Sequence, residues 1–276
     1  MRKNLRLLLL ALCVPLLTIF LFSGWKLYTI LHDYKTAEQS YDSLAEAVVV
    51  SPAAPDPTDP QPLPSSAPAS EEQPEQSAVE EAPPAGELSP VSVDFDALRE
   101  IGKDVIGWLC LPHTAINYPV VQGSDNDYYL TRFIDGSVQS GGSLFADCVC
   151  PSDFSGKNTI IYGHNMRDGS MFALIDDYAQ QSFYDQHPVM YLNTPTQNYK
   201  LEIFSGFTTD PESFVYTAVF ASEEDYAAFQ GALLRSSVIN CPVALSPTDR
   251  VVTLSTCTYT AEDVRFVLCG KLTELG

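Results

Sequence analysis

Apolar and polar positions divide this chain into stretches of different period. Leu7 to Trp25 is almost uniformly apolar. As an α-helix at about 1.5 Å per residue, this run reaches ~28 Å, close to the ~30 Å hydrocarbon core of a bilayer. Leu27, Ile30, Leu31, Tyr34, Tyr41 and Leu44 then recur at helical spacing, which predicts a juxtamembrane helix over 26–50. From 51 to 90 large apolar residues nearly vanish while eleven prolines appear, so the segment has too little to bury and reads as a disordered linker. Fully extended as polyproline II it reaches ~120 Å, a spacer between membrane and folded domain.

Short apolar runs begin again at residue 91. Strands are expected at 116–121, 159–162, 189–192, 199–204, 215–220, 250–256 and 264–272. Tyr199-Lys200-Leu201-Glu202-Ile203 shows the period-two alternation of a half-buried strand. Phe95, Leu98 and Ile101 mark a short opening helix, and Ser222 with Asp225 resembles a capping box ahead of Tyr226, Phe229 and Leu233. Many short strands with few helices indicate a mostly β chain, an all-β barrel carrying inserted helices. The expected organisation is a cytoplasmic stub (1–6), a transmembrane anchor (7–25), the juxtamembrane helix (26–50), the linker (51–90) and a catalytic domain (91–276).

Charge adds direction. Arg2, Lys3 and Arg6 outweigh Lys26 across the apolar run, which keeps the N-terminus in the cytoplasm and the rest of this single-pass chain outside. A cleaved signal peptide is the alternative, but the run is long for one and no A-x-A site follows it. The formal net charge is −20, and no Lys or Arg lies between Lys35 and Arg99. So acidic a chain, without a basic cluster beyond the membrane flank, is a poor partner for nucleic acid.

Seven cysteines do not form an obvious disulfide framework: the count is odd, and Cys13 lies in the expected span. A disulfide joining Cys148 or Cys150 to Cys241 stays open. Cys110 and Cys269 sit in apolar runs, where a cysteine acts as a small hydrophobe. Cys148-Val149-Cys150 has no histidine pair at ligand spacing, so no metal or other cofactor is expected.

Three residues carry candidate chemistry. Cys257 ends the run Val251-Val252-Thr253-Leu254-Ser255-Thr256 among polar neighbours, the place for an exposed nucleophilic thiol rather than a structural cysteine. His164 follows the strand-like Ile160-Ile161-Tyr162 and one glycine, so its imidazole can project into a cleft as a general acid and base. Arg265, eight residues after the cysteine, offers fixed donors for an oxyanion; its alternative role is an ion pair with Glu262 or Asp263.

These positions resemble the class B sortases, membrane-anchored cysteine transpeptidases of Gram-positive bacteria. The resemblance rests on Tyr162-Gly163-His164-Asn165-Met166, Leu254-Ser255-Thr256-Cys257 and Arg265. It extends to Asp104-Val105-Ile106-Gly107-Trp108-Leu109, Tyr118-Pro119-Val120-Val121-Gln122, Asp125-Asn126-Asp127-Tyr128-Tyr129-Leu130 and Gly169-Ser170-Met171-Phe172. It implies an eight-stranded sortase-type barrel with N-terminal helices and a helix before the nucleophile strand. His164, Cys257 and Arg265 would be catalytic, and Asn126, Leu130, Tyr162 and Ser255 would lie near the substrate groove. The implied reaction cleaves a C-terminal sorting signal of a secreted protein and passes the acyl group to an amine of a cell-wall precursor or a pilin lysine. Thr258-Tyr259-Thr260 supplies no acidic partner, so a carboxylate orienting His164 is unassigned. A thiol hydrolase using water and a non-catalytic wall-binding barrel are the competing readings; the intact Cys, His and Arg set argues against the second.

Overall fold

The computed structural model describes residues 2–50, 88–257 and 263–276, with side chains described over 15–49, 88–256 and 263–276. Helix α1 (Arg2–Val48) leads into the short strand β1 (Val49–Val50). The chain returns as β2 (Ser92–Val93) and α2 (Phe95–Ile101). The barrel strands are β3 (Val105–Cys110), β4 (Asn117–Val121), β5 (Leu144–Ala146), β6 (Asn158–Tyr162), β7 (Val189–Asn193), β8 (Asn198–Thr209), β9 (Arg250–Cys257) and β10 (Arg265–Glu274). Helix α3 (Gln181–Gln186) precedes β7, and α4 (Glu223–Ser236) lies between β8 and β9. The eight strands β3 to β10 close into a barrel in the order β10-β8-β7-β3-β4-β5-β6-β9. Within it β6 and β9 run parallel, as do β4 and β5; the other pairs are antiparallel.

Local chemistry accounts for the element ends. Asp94 Oδ1 accepts from the Ala97 N–H at 2.9 Å and starts α2. Ser222 Oγ accepts from the Asp225 N–H at 3.1 Å, the N-cap bond that its sequence announced for α4, and donates to Asp225 Oδ2 at 2.8 Å. On β8, Tyr199, Leu201 and Ile203 are buried while Lys200 and Glu202 are half-buried. Beyond Ile203 the strand is buried on both faces: α4 covers the outer one, packing Tyr226, Phe229 and Leu233 against Phe204, Phe207, Val251, Val267 and Cys269.

Expectation and structure part in several places. The strand expected at 215–220 is a short 3-10 turn, Phe214–Tyr216, followed by irregular chain. There Asn158 Nδ2 donates to the Val215 and Thr217 carbonyls, both at 3.0 Å, so a side chain takes the acceptors a neighbouring strand would have used. β3 and the three-residue β5 were not foreseen as strands; β5 is too short to show a period.

In the N-terminal region one helix, α1, runs through the expected span and the helix expected over 26–50, and Ala37, Tyr41, Leu44 and Val48 along one of its faces are buried. Val49 pairs with Val93 and Val50 with Ser92, and the Asp94 N–H donates to Val48 O at 2.8 Å. Asn193 Nδ2 holds the returning chain at Val91 O, 2.8 Å away. The part of α1 before β1 thus packs on the barrel, and β1 and β2 flank the Pro- and Glu-rich segment in one ladder. The disorder expected there concerns residues that, for 51–87, lie outside those described. Among the described residues no helix is long and apolar enough to cross a membrane. The first part of the expected span, 7–14, falls outside those with described side chains.

Candidate active site

Barrel topology brings the candidate residues to one rim. β6 and β9 lie side by side in parallel, with Tyr162 opposite Ser255, and the Gly163 N–H donates to Ser255 O at 3.1 Å. The chain beyond β6 thus delivers His164 where β9 delivers Thr256 and Cys257. Arg265 opens β10 and is the cross-strand partner of Cys257.

Gly163 is required by close approach. A Cβ built there would stand 2.5 Å from Leu144 Cδ2 and 2.6 Å from Phe172 Cδ2, both fully buried core side chains. His164 is half-buried, and its Nε2–H donates to Leu130 O at 2.7 Å. A carbonyl only accepts, so this bond places the proton on Nε2 and leaves Nδ1 as the acceptor of the neutral ring. The loop that carries His164 is tied back tightly: the Phe172 N–H donates to His164 O at 2.9 Å, and Asn165 is bridged to Met171.

Asn165 Nδ2 donates to Asp176 Oδ2 at 2.7 Å, while Asp176 Oδ1 is buried without a partner. Burial pushes the Asp176 carboxyl above the usual carboxylate range; Asp177 adds to the rise and the Asn165 bond opposes it. Nothing in the sequence singled out Asp176, because eleven residues and a turn separate it from Asn165.

Arg265 is half-buried, and its Nη1 donates weakly to its neighbour's carbonyl, Val264 O, at 3.4 Å. Among the described residues it has no carboxylate partner, so the alternative ion pair with Asp263 does not form; Glu262 lies outside them. The guanidinium lines a groove of about 250 Å³ together with His164, Gly163, Thr256, Asn126, Leu130, Tyr162 and Ser255. All four groove residues expected from the sequence are therefore on this surface.

Phe145, Pro211 and Tyr216 complete the lining. Tyr162 packs against Phe145 and Tyr216, with ring centroids 5.2 and 6.1 Å away. Tyr162 donates its hydroxyl to Asp147 Oδ2 at 2.9 Å. Burial first, then Asp147, raises the Tyr162 phenol, so it stays protonated near neutral pH. Tyr216 and Ser255 share a hydrogen bond of 2.9 Å, and the Cys148 N–H caps Asn126 Oδ1 at 2.9 Å. Tyr216 escaped the sequence reading because it lies in the turn taken for a strand.

The five cysteines with described side chains are all free, so Cys241 forms no disulfide with Cys148 or Cys150. Burial pushes the Cys110 thiol up to about 11 and the Cys269 thiol up to about 12. Both thiols are therefore un-ionised near neutral pH, and a thiol is a far weaker nucleophile than a thiolate.

Residues 109–273 match the family model of the sortase domain. Sortase B of Listeria monocytogenes is 33% identical over 264 residues, 95% of each chain. Sortase B of Staphylococcus aureus is 36% identical over 189 residues, 67% of this chain and 77% of the relative. The solved complex of Staphylococcus aureus sortase B with substrate superposes with a TM-score of 0.63 at 35% identity, covering 66% of this chain and 85% of that one. The chain belongs to the sortase family of cysteine transpeptidases, which act on sorting signals, and its relatives are of the sortase B class.

Proposed function

We propose that Cys257 is the nucleophile, His164 the acid and base, and Arg265 the oxyanion donor of a sorting-signal transpeptidase. The Cys257 thiol gives its proton to Nδ1 of His164, and its sulfur bonds to the carbonyl carbon of the scissile residue, typically threonine in a five-residue signal. The tetrahedral oxyanion draws on the Arg265 guanidinium. As the C–N bond breaks, His164 gives its proton to the leaving amine and a thioester remains on Cys257. An incoming amine, from a cell-wall peptide precursor or a pilin lysine, attacks that thioester and returns a proton to His164. A new amide forms and the thiolate leaves.

The observation that carries this reading is that the His164 loop, Thr256 near the end of β9 and Arg265 line one groove, with Cys257 the next residue of β9 and in register with Arg265. Asn126, Leu130, Tyr162 and Ser255 bind the signal in that groove, whose aromatic wall suits an extended peptide. The experiment is cleavage profiling of a peptide library with and without amine acceptors. An amine-dependent amide product supports transfer; hydrolysis alone, unaffected by any amine, would make the enzyme a thiol hydrolase.

The site works outside the cell, on a chain whose N-terminus stays in the cytoplasm. Support comes from the apolar run from Leu7 to Trp25 and from Arg2, Lys3 and Arg6 before it. Protease added to intact protoplasts should remove the barrel. Full protection, or a mature N-terminus beyond residue 23, would overturn the topology.

A further inference from the structure

We infer that Tyr41, on helix α1 and far in sequence from the groove, is a positioning residue for His164. This rests on the proton-handling role proposed for His164 and names what holds that side chain in place. Tyr41 is buried against the barrel. Two separate routes lead from it to the histidine, each made of short contacts.

The first route reaches the ring. The Tyr41 hydroxyl donates to Gly142 O at 2.5 Å and lies 3.1 Å from Ser143 Oγ. Gly142 has φ +56, and a Cβ there would stand 2.6 Å from Tyr129 O and overlap the Leu130 carbonyl, so this turn rests directly on the 129–130 backbone. The Ser143 N–H donates to Tyr129 O at 3.0 Å. The next carbonyl, Leu130 O, is the one that accepts the His164 Nε2 proton.

The second route reaches the main chain. The Tyr41 ring meets Tyr118 edge-on, with centroids 5.1 Å apart and planes at 84°. The Tyr118 hydroxyl accepts from the Met171 N–H at 3.1 Å. Met171 is bridged to Asn165, and the next amide, that of Phe172, holds His164 O.

Removing the Tyr41 hydroxyl strands Gly142 O without its donor in a buried place. The 142–143 turn then relaxes, and Leu130 O moves with it. A displaced acceptor tilts the imidazole, and small misplacements of a reacting group are costly in rate. Burial pushes the Tyr41 phenol up, which keeps it a donor throughout the working pH range.

The test compares Tyr41→Phe with Leu44→Ala in the full chain in detergent, acting on a soluble sorting peptide. Leu44 is buried on the same helix face but its side chain makes neither connection. Both variants are assayed below the onset of melting. Tyr41→Phe should lower kcat about tenfold with KM unchanged, while Leu44→Ala should lower the melting temperature and keep kcat within about twofold. A wild-type kcat for Tyr41→Phe, with His164→Ala inactive, would overturn the inference alone. Equal kcat losses in the two variants would reduce Tyr41 to a structural residue and also overturn it. Full activity in His164→Ala would sink the proposed role of His164 and this inference with it.

Discussion

Cys257 and Arg265 stand directly opposite each other where the β9–β10 ladder ends. Opposed residues of an antiparallel pair have Cα atoms about 4.5–5.5 Å apart. The eight-residue spacing in sequence is therefore a strand end, a connection and the first residue of the return strand. An arginine in this register needs no further loop to bring its backbone beside that of the cysteine.

If this pairing is the working one, Cys257→Ala should abolish both peptide cleavage and acyl-enzyme. His164→Ala and Arg265→Lys should each lower turnover by roughly 10²–10⁴-fold, the arginine because an ammonium lacks the fork of fixed donors. Mass spectrometry with a sorting peptide should find the adduct on Cys257. An adduct on the exposed Cys148 instead would sink the assignment.

The buried cysteines should behave oppositely. Cys110→Ala and Cys269→Ala remove core volume at fully or nearly fully buried positions. They should lower stability by about 1–2 kcal/mol each, read by chemical denaturation, and leave the per-molecule rate near wild type. Loss of activity without loss of stability would contradict the core reading.

Tyr216→Phe frees Ser255 Oγ and changes one wall of the groove while keeping the ring stack on Tyr162. One lost hydrogen bond of about 1 kcal/mol corresponds to roughly a fivefold change, expected in KM for the peptide rather than in kcat. An unchanged KM would exclude this pair from substrate binding.

Asp176 predicts a pH dependence with a definite sign. Its carboxyl is raised in the fold, so between the unfolded and folded values the native state holds more protons and stability falls as pH rises. The penalty is complete above the folded value and absent below the unfolded one. Asp176→Asn, which can still accept the Asn165 bond, removes that slope. Melting temperatures of the two proteins should therefore draw together at acid pH and diverge, in favour of the variant, toward neutral. A parallel offset at every pH would show that the carboxyl carries no such penalty.

Because β1 and β2 join in one ladder, residues 52–87 can be replaced by a four-residue turn. The loop between β1 and β2 then shortens about fivefold, which removes roughly 1.4 kcal/mol of closure entropy. Calorimetry should show a melting temperature a few degrees higher, with peptide turnover unchanged. A drop of several degrees would mean that the excised residues pack on the body.

Local pattern was enough for part of this protein. The alternation at Tyr199–Ile203, the cap at Ser222 and the apolar face of α4 announce themselves because helix and strand periods are properties of neighbours in sequence. The family motifs likewise sit on contiguous residues, which is why His164, Cys257, Arg265, Asn126, Leu130, Tyr162 and Ser255 could be named as candidates from the sequence. Other features arise only when distant segments meet. The turn at 214–216 depends on Asn158 capturing its carbonyls, and the buried carboxylate of Asp176 depends on Asn165 reaching it. The β1–β2 ladder pairs Val49 and Val50 with residues some forty positions on, and Tyr41 touches the supports of His164 across more than a hundred residues. Periodicity encodes which face of an element is apolar; which partner covers that face is settled by packing and hydrogen-bond satisfaction in three dimensions.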